Sequence, residues 1–121
     1  MKFIINGRLD SLNEYTKACR ANRYGANAMK RKNEKKVIEG IKCAGLKKVE
    51  EYPLNLYIVW YEPNKRRDID NITFATKFIQ DALVKSGILE DDSQKYIVGV
   101  LHRVLVDRKN PRIEVELRTA E

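Results

Sequence analysis

The chain predicts an α+β fold, a single small domain in which helices pack on a mixed β-sheet that ends in a C-terminal antiparallel hairpin. Three observations lead there. Apolar and small residues between Tyr15 and Ile41 recur at spacings of three and four, the period of a helix buried along one side. Leu54 to Tyr61 (LNLYIVWY) is a stretch of strand length rich in β-branched and aromatic residues on both alternating faces, and Ile113, Val115 and Leu117 alternate with Glu114 and Glu116. With 121 residues and 43% apolar content, one hydrophobic core can be filled, so one domain over residues 1–121 is expected.

Taken in order, Lys2 to Asn6 reads as a short strand. Ser11-Leu12-Asn13-Glu14 is an S-x-x-E capping box, which satisfies free N–H groups at a helix start. From there Tyr15, Cys19, Asn22, Ala26, Met29, Asn33, Val37 and Ile41 predict one long helix, or two nearly collinear ones, to about Gly40, with Gly25 its weakest point. Gly45 and the charged stretch Lys47 to Glu51 make a connection that ends at Pro53. Leu54 to Tyr61 is then a central strand covered on both sides, and Glu62 to Arg67 a polar connection.

A further helix is predicted from about Asn71 to Ser86, with Ile72, Ala75, Phe78, Ile79, Ala82 and Leu83 as its apolar stripe and Gly87 as a left-handed cap. Tyr96 to Val106 and Arg112 to Arg118 read as two strands that pair antiparallel, with residues 107–111 as their hairpin loop. The pattern does not set the strand order.

Charge narrows the partner. The formal net charge is +7 and the pI is near 9.5, which points to a polyanion. Nucleic acid is favoured over a membrane surface, because the basic residues are spread along the chain and not gathered on one amphipathic anchor. No apolar stretch is long enough to span a bilayer and the N-terminus lacks a secretory apolar region, so a cytoplasmic protein is expected. Cys19 and Cys43 form no C-x-x-C or Cys/His cluster, so neither a zinc site nor a disulfide framework is indicated.

The most informative residues are Arg66-Arg67-Asp68-Ile69-Asp70-Asn71 and Glu90-Asp91-Asp92-Ser93, which flank the helix predicted between them. Asp68 and Asp70 are two apart, so in extended backbone their carboxylates point to one side and can share a cation. A turn after Gly87 would let Asp91 or Asp92 close on that pair. Hard oxygen ligands without nearby His or Cys select Mg²⁺, with Mn²⁺ as a substitute, and such ions activate water and stabilise charge on a phosphate. The competing reading is structural: Asp70 or Asn71 caps the helix, Asp68 pairs with Arg66 or Arg67, and Asp91-Asp92 decorates a turn.

The order R-R-D-I-D-N, a helix ending K-F-I-Q-D-A-L, then G-I-L-E-D-D-S and two strands resembles the RusA family of Holliday-junction resolvases, including its phage-associated members. The likeness runs from Arg66 to about Arg118, and S-L-N-E-Y before a long basic helix is compatible with it. It implies a metal-dependent endodeoxyribonuclease that cuts four-way and other branched DNA in recombination and repair, with Asp68, Asp70 and Asp92 holding the metal and Asp91 as the near alternative to Asp92. It also implicates a helix lysine. Lys77, four before Asp81, is the match counted from the helix end, although from Asn71 it stands about one turn farther than the pattern has it. Seven residues place Lys77 roughly 10 Å from Asp70 along a helix, within reach of a phosphate sooner than a metal ligand.

Lys17, Arg20, Arg23, Lys30, Arg31, Lys32, Lys35 and Lys36 are interrupted by one acid, Glu34, and form the candidate DNA-tracking face. Arg66 and Arg67 are expected nearer the scissile phosphate. His102, the only histidine, is expected as a packed, hydrogen-bonded core residue, and Trp60, Tyr57 and Tyr61 as core or subunit-interface residues. One acidic constellation per chain and two strands to cut predict a homodimer. The rival expectations are a non-catalytic basic DNA-binding protein, and a nuclease of flap or fork DNA.

Overall fold

A computed structural model describes residues 1–120. Its four strands, β1 (Lys2–Asn6), β2 (Leu54–Glu62), β3 (Ile97–Val106) and β4 (Arg112–Thr119), form one mixed sheet in the order β1-β4-β2-β3. β4 runs antiparallel to both β1 and β2, and β3 runs parallel to β2.

The last two strands do run antiparallel to each other, but they are not hydrogen-bonded neighbours, because β2 lies between them. The expected hairpin is instead a loop that steps over the end of β2. Asp107 N–H donates to the Glu62 carbonyl at 2.8 Å, tying the loop to the strand it crosses, and Arg112 bridges Asp107 and Glu114. Two strand spacings come to about 10 Å, well within reach of five residues. The gain is that β2, the most apolar strand, has both edges paired.

The helices cover one face of the sheet. Leu54, Leu56, Ile58 and Trp60 of β2 are buried against Val37, Ile41, Ile72, Phe78, Ile79, Ala82 and Leu83, together with Phe3, Ile5, Ile113, Val115 and Leu117 of the outer strands. Each such side chain contributes about 1.5–3 kcal/mol by leaving water. Among the described residues the other face has no second layer, so β2 is covered on one side and not on both as its composition suggested: its residues alternate buried and half-buried. On the open face Tyr57 and Tyr61 are half-buried beneath the guanidinium groups of Arg118 and Arg112, 4.4 and 3.8 Å from the ring centroids.

The first helical segment is α1 (Leu12–Ala21) and α2 (Arg23–Ala44), broken at Asn22 and not at Gly25. Asn22 is extended (φ −175°, ψ 162°), and its side chain accepts from Gly25 N–H at 2.6 Å, so the amide that ends one helix caps the next. The two are not collinear. Asp10, just before α1, meets buried Asn33, eleven residues past the break, so α2 returns alongside α1 as a helical hairpin. α2 continues past Gly40 to the left-handed cap Gly45 (φ 63°). At Gly40 a Cβ would stand 2.4 Å from the Ile4 carbonyl oxygen, so glycine here permits close approach of α2 to β1.

The predicted helix over 71–86 is two pieces, α3 (Ile69–Thr73) and α4 (Thr76–Lys85). Between them Ala75 and Lys77 N–H groups donate three residues back, and the Thr76 hydroxyl takes the Thr73 carbonyl at 2.6 Å, which tightens the turn. Gly87 (φ 79°) ends α4 as expected, with Ile88 N–H donating to the Leu83 carbonyl.

Candidate active site

The chain leaves β2 at the end of the sheet where β1 also ends, and one cluster of contacts fixes the segment that follows. Arg67 donates to the Leu9 carbonyl at 3.1 Å and forms an ion pair with Glu14 of α1. Glu14 in turn closes the capping box with Ser11. The Asn71 side-chain oxygen accepts from Asn13 N–H at 3.1 Å. Both ends of Arg67-Asp68-Ile69-Asp70-Asn71 are thus fastened to the start of α1.

Asp68 and Asp70, held between those fasteners, are exposed and form no ion pair or side-chain hydrogen bond among the described residues. Asp68 occupies the N-cap position of α3 without a side-chain cap bond, and Arg67 is committed to Glu14. The structural reading is not realised among the described residues: Asp68 pairs with neither Arg66 nor Arg67, and neither Asp70 nor Asn71 is the cap of α3.

Asp91 and Asp92 lie at the other end of the sheet. Glu90 N–H donates to the Tyr52 hydroxyl, and the Tyr96 carbonyl accepts from Leu54 N–H at the start of β2. β2 is on the order of 25 Å long, and α3 with α4 carries the chain about that far in the same direction as it returns. The closure of Asp91 or Asp92 onto Asp68 and Asp70 therefore does not occur within one chain, and among the described residues no three His, Cys, Asp or Glu side chains are grouped to hold a metal. Lys77 is exposed about two helical turns past Asp70, and Asp81 pairs with Lys30 instead, at 3.4 Å.

The basic residues divide in two. Lys30 is tied to Asp81, Lys32 to Asp10 at 3.1 Å, and Lys36 donates to the Arg8 carbonyl. Asp10 is partly buried, which works to raise its carboxyl pKa, but the hydrogen bond from Asn33 and the Lys32 ammonium hold it below the usual value. Arg20, Arg23, Arg31, Lys35 and Arg66 are exposed and without a carboxylate partner among the described residues.

His102 is hydrogen-bonded as expected but not part of the core. It sits exposed on edge strand β3, where its Nδ1 accepts the buried Trp60 indole N–H at 3.0 Å.

Residues 21–118 match the model of a family described as endodeoxyribonuclease RusA. The chain belongs to the RusA endodeoxyribonuclease family. Among curated proteins, none matches the chain. The RusA match takes in α2 and everything from β2 through most of β4, including Asp68, Asp70, Asp91 and Asp92, and leaves Ser11 to Arg20 outside. RusA proteins act on Holliday-junction DNA, so a DNA endonuclease activity follows from membership, and no described helix is long and apolar enough to cross a membrane. Glu14 was legible only as a helix cap; its partnership with Arg67 spans 53 positions, and no local pattern reports it.

Proposed function

We propose that the chain is a Mg²⁺-dependent endonuclease, with Mn²⁺ a possible substitute, that cuts four-way DNA junctions as a cytoplasmic homodimer in recombination and repair. One observation carries the reading: two neighbouring carboxylates, Asp68 and Asp70, stand exposed and uncommitted on a segment whose flanks are clamped. Mg²⁺ commonly uses one or two carboxylates and completes its shell with water and phosphate oxygens, so this pair fits it. Such an ion supplies an activated water and charge stabilisation at a phosphodiester. Asp68 and Asp70 hold and orient it. Arg66 and Lys77, exposed before and after the pair in the chain, meet phosphates in this reading, and Arg20, Arg23, Arg31 and Lys35 hold the duplex by its backbone, which suits recognition of DNA shape. Products carry 3′-hydroxyl and 5′-phosphate ends.

Asp92, or Asp91, can serve the same ion only from a second subunit. The unpaired outer edge of β3 favours a way to supply it. That strand is ten residues long and exposes Val98, Leu101, Leu105 and Val106. Antiparallel pairing of β3 with its two-fold mate would bring the Asp92 end of one subunit level with the Asp68 end of the other, and the interface closes on itself. A cleavage panel of duplex, flap, fork and four-way DNA with and without Mg²⁺, run beside sedimentation, tests the reading. Paired incisions of the four-way substrate by a dimer are expected. Binding without cleavage in Mg²⁺ or Mn²⁺ would leave a non-catalytic DNA-binding protein, and preferential cutting of flaps or forks would reassign the substrate.

A further inference from the structure

The helical hairpin formed by α1 and α2 is not fully used by the domain that carries it. α1 has no buried residue, and Cys19 to Tyr24, across the turn, are exposed without interruption. Because Asn33 is level with Asp10 at the end of the sheet, the ten residues of α2 before it and the ten of α1 extend about 15 Å beyond that level. Between Glu14 and Glu34 the hairpin holds six cations and no acid; Lys30 and Lys32 are paired with Asp81 and Asp10, which leaves Lys17, Arg20, Arg23 and Arg31 for DNA. At its tip Tyr24 is 75% exposed, the most exposed large hydrophobic side chain described, and the Arg23 guanidinium lies 5.8 Å from its ring centroid.

A solvated tip normally carries small polar residues, because an exposed aromatic ring keeps its hydration cost without packing in return. Here the ring is kept, backed by a cation on one side and open on the other. That arrangement offers a stacking platform for a planar, electron-rich partner next to a phosphate. Paired bases inside duplex DNA present no free face. Bases at a branch point, where stacking is interrupted, do.

We infer that Tyr24 is a specificity-determining residue: the basic hairpin follows the DNA backbone away from Asp68 and Asp70, and Tyr24 stacks on an unstacked base at the branch, four or five nucleotides along at about 3.4 Å each. The inference rests on the proposed action on branched DNA. Within it, the cations supply affinity for any DNA, and the ring supplies the preference for branches.

The test uses the full chain and 2-aminopurine, a fluorescent base quenched by stacking, placed at the branch of a four-way junction, in a single-base gap, and inside plain duplex, all without Mg²⁺. Wild type is expected to change the fluorescence at branch and gap but not in duplex. Tyr24→Ala is expected to abolish that change and weaken junction binding about ten-fold, with duplex binding within two-fold. Tyr24→Phe, which keeps the ring, is expected to behave as wild type. An equal loss for junction and duplex in Tyr24→Ala, or an unchanged fluorescence response, overturns the inference. Cleavage of junctions separates the two levels: junctions cut with wild-type selectivity by Tyr24→Ala would sink this role and leave the nuclease reading standing. No cleavage by wild type, with the Tyr24-dependent response intact, would do the reverse.

Discussion

Arg67, in the loop that leads from β2 into α3, forms an ion pair with Glu14 of α1 and at the same time donates to the Leu9 carbonyl at 3.1 Å. The pair decides where a cation next to the aspartates spends its charge. With Glu14 in place, the Arg67 guanidinium is engaged there and forms no ion pair with Asp68; with Glu14 neutral, it is free to pair with the carboxylate next in the chain.

Glu14→Gln is therefore expected to raise the Mg²⁺ concentration needed for half-maximal cleavage several-fold while leaving metal-free DNA binding nearly unchanged. Glutamine still closes the capping box, and a partly exposed ion pair is worth no more than about 1 kcal/mol, so stability should fall little. Metal titrations of cleavage beside urea melts check this. A wild-type Mg²⁺ dependence in the variant would reduce the Arg67–Glu14 pair to a fastening.

Asp70→Asn is expected to abolish cleavage with the fold intact and junction binding in metal-free buffer equal or tighter. A three-carboxylate cluster in one chain would store repulsion, and its relief would stabilise the variant by about 1 kcal/mol. The exposed placement of Asp70, with Asp92 at the far end of β2, argues instead for a change within about 0.5 kcal/mol. Cleavage assays and urea melts decide it, since retained activity would remove Asp70 from the metal site.

The Trp60–His102 hydrogen bond makes stability pH-dependent. Although the residue as a whole is exposed, the part of the ring set against Trp60 is desolvated, which lowers the His102 pKa from its ordinary value of about 6.5, and only neutral imidazole leaves Nδ1 free to accept the indole N–H. The unfolded chain takes up a proton as pH falls through about 6.5 while the folded chain resists, so stability is full above that pH and declines below it toward the depressed folded value. His102→Ala should cost about 1–3 kcal/mol at neutral pH by stranding the indole donor, and should flatten the decline. Trp60 is the only tryptophan, so its fluorescence in urea melts at pH 7.5 and 5.5 reads the bond directly.

Two glycines of α2 should respond oppositely to alanine. At Gly40 the new methyl meets the Ile4 carbonyl, and overpacking of about 1–3 kcal/mol should outweigh the helix-propensity gain of roughly 1 kcal/mol. At Gly25 the nearest atom to a Cβ is 3.5 Å away, ordinary contact, so alanine should be neutral or stabilising by up to about 1 kcal/mol. Thermal melts of both variants provide the comparison.

Local chemistry was legible in the sequence and long-range geometry was not. The Ser11–Glu14 box, the Gly87 cap, the alternation of β4 and the apolar run of β2 each write their structure within a few residues, and all stand where the pattern puts them. The break at Asn22 was missed because its side-chain cap competes with a helix period that continues on both sides. The insertion of β2 between β3 and β4 was missed because a five-residue loop looks the same whether it turns back or steps over. In the candidate site, the D-x-D pair was readable from spacing. The distance to Asp91 and Asp92 depended on α3 and α4 running on in one direction, which no motif records.

The position of β4 has a consequence for how the molecule comes into being. β4 is the last strand in sequence, yet it sits between β1 and β2 and supplies all of β1's pairing. While residues 112–119 are still inside the ribosome, β1 has no neighbour in the sheet and α2 lacks the finished platform it packs on. Pairings separated by more than a hundred residues also close slowly. Residues 1–111 of the nascent chain should therefore stay protease-sensitive and inactive until residues 112–119 have left the ribosome, then gain their fold and DNA-cutting capacity together, so that a cell makes no half-built nuclease on the way.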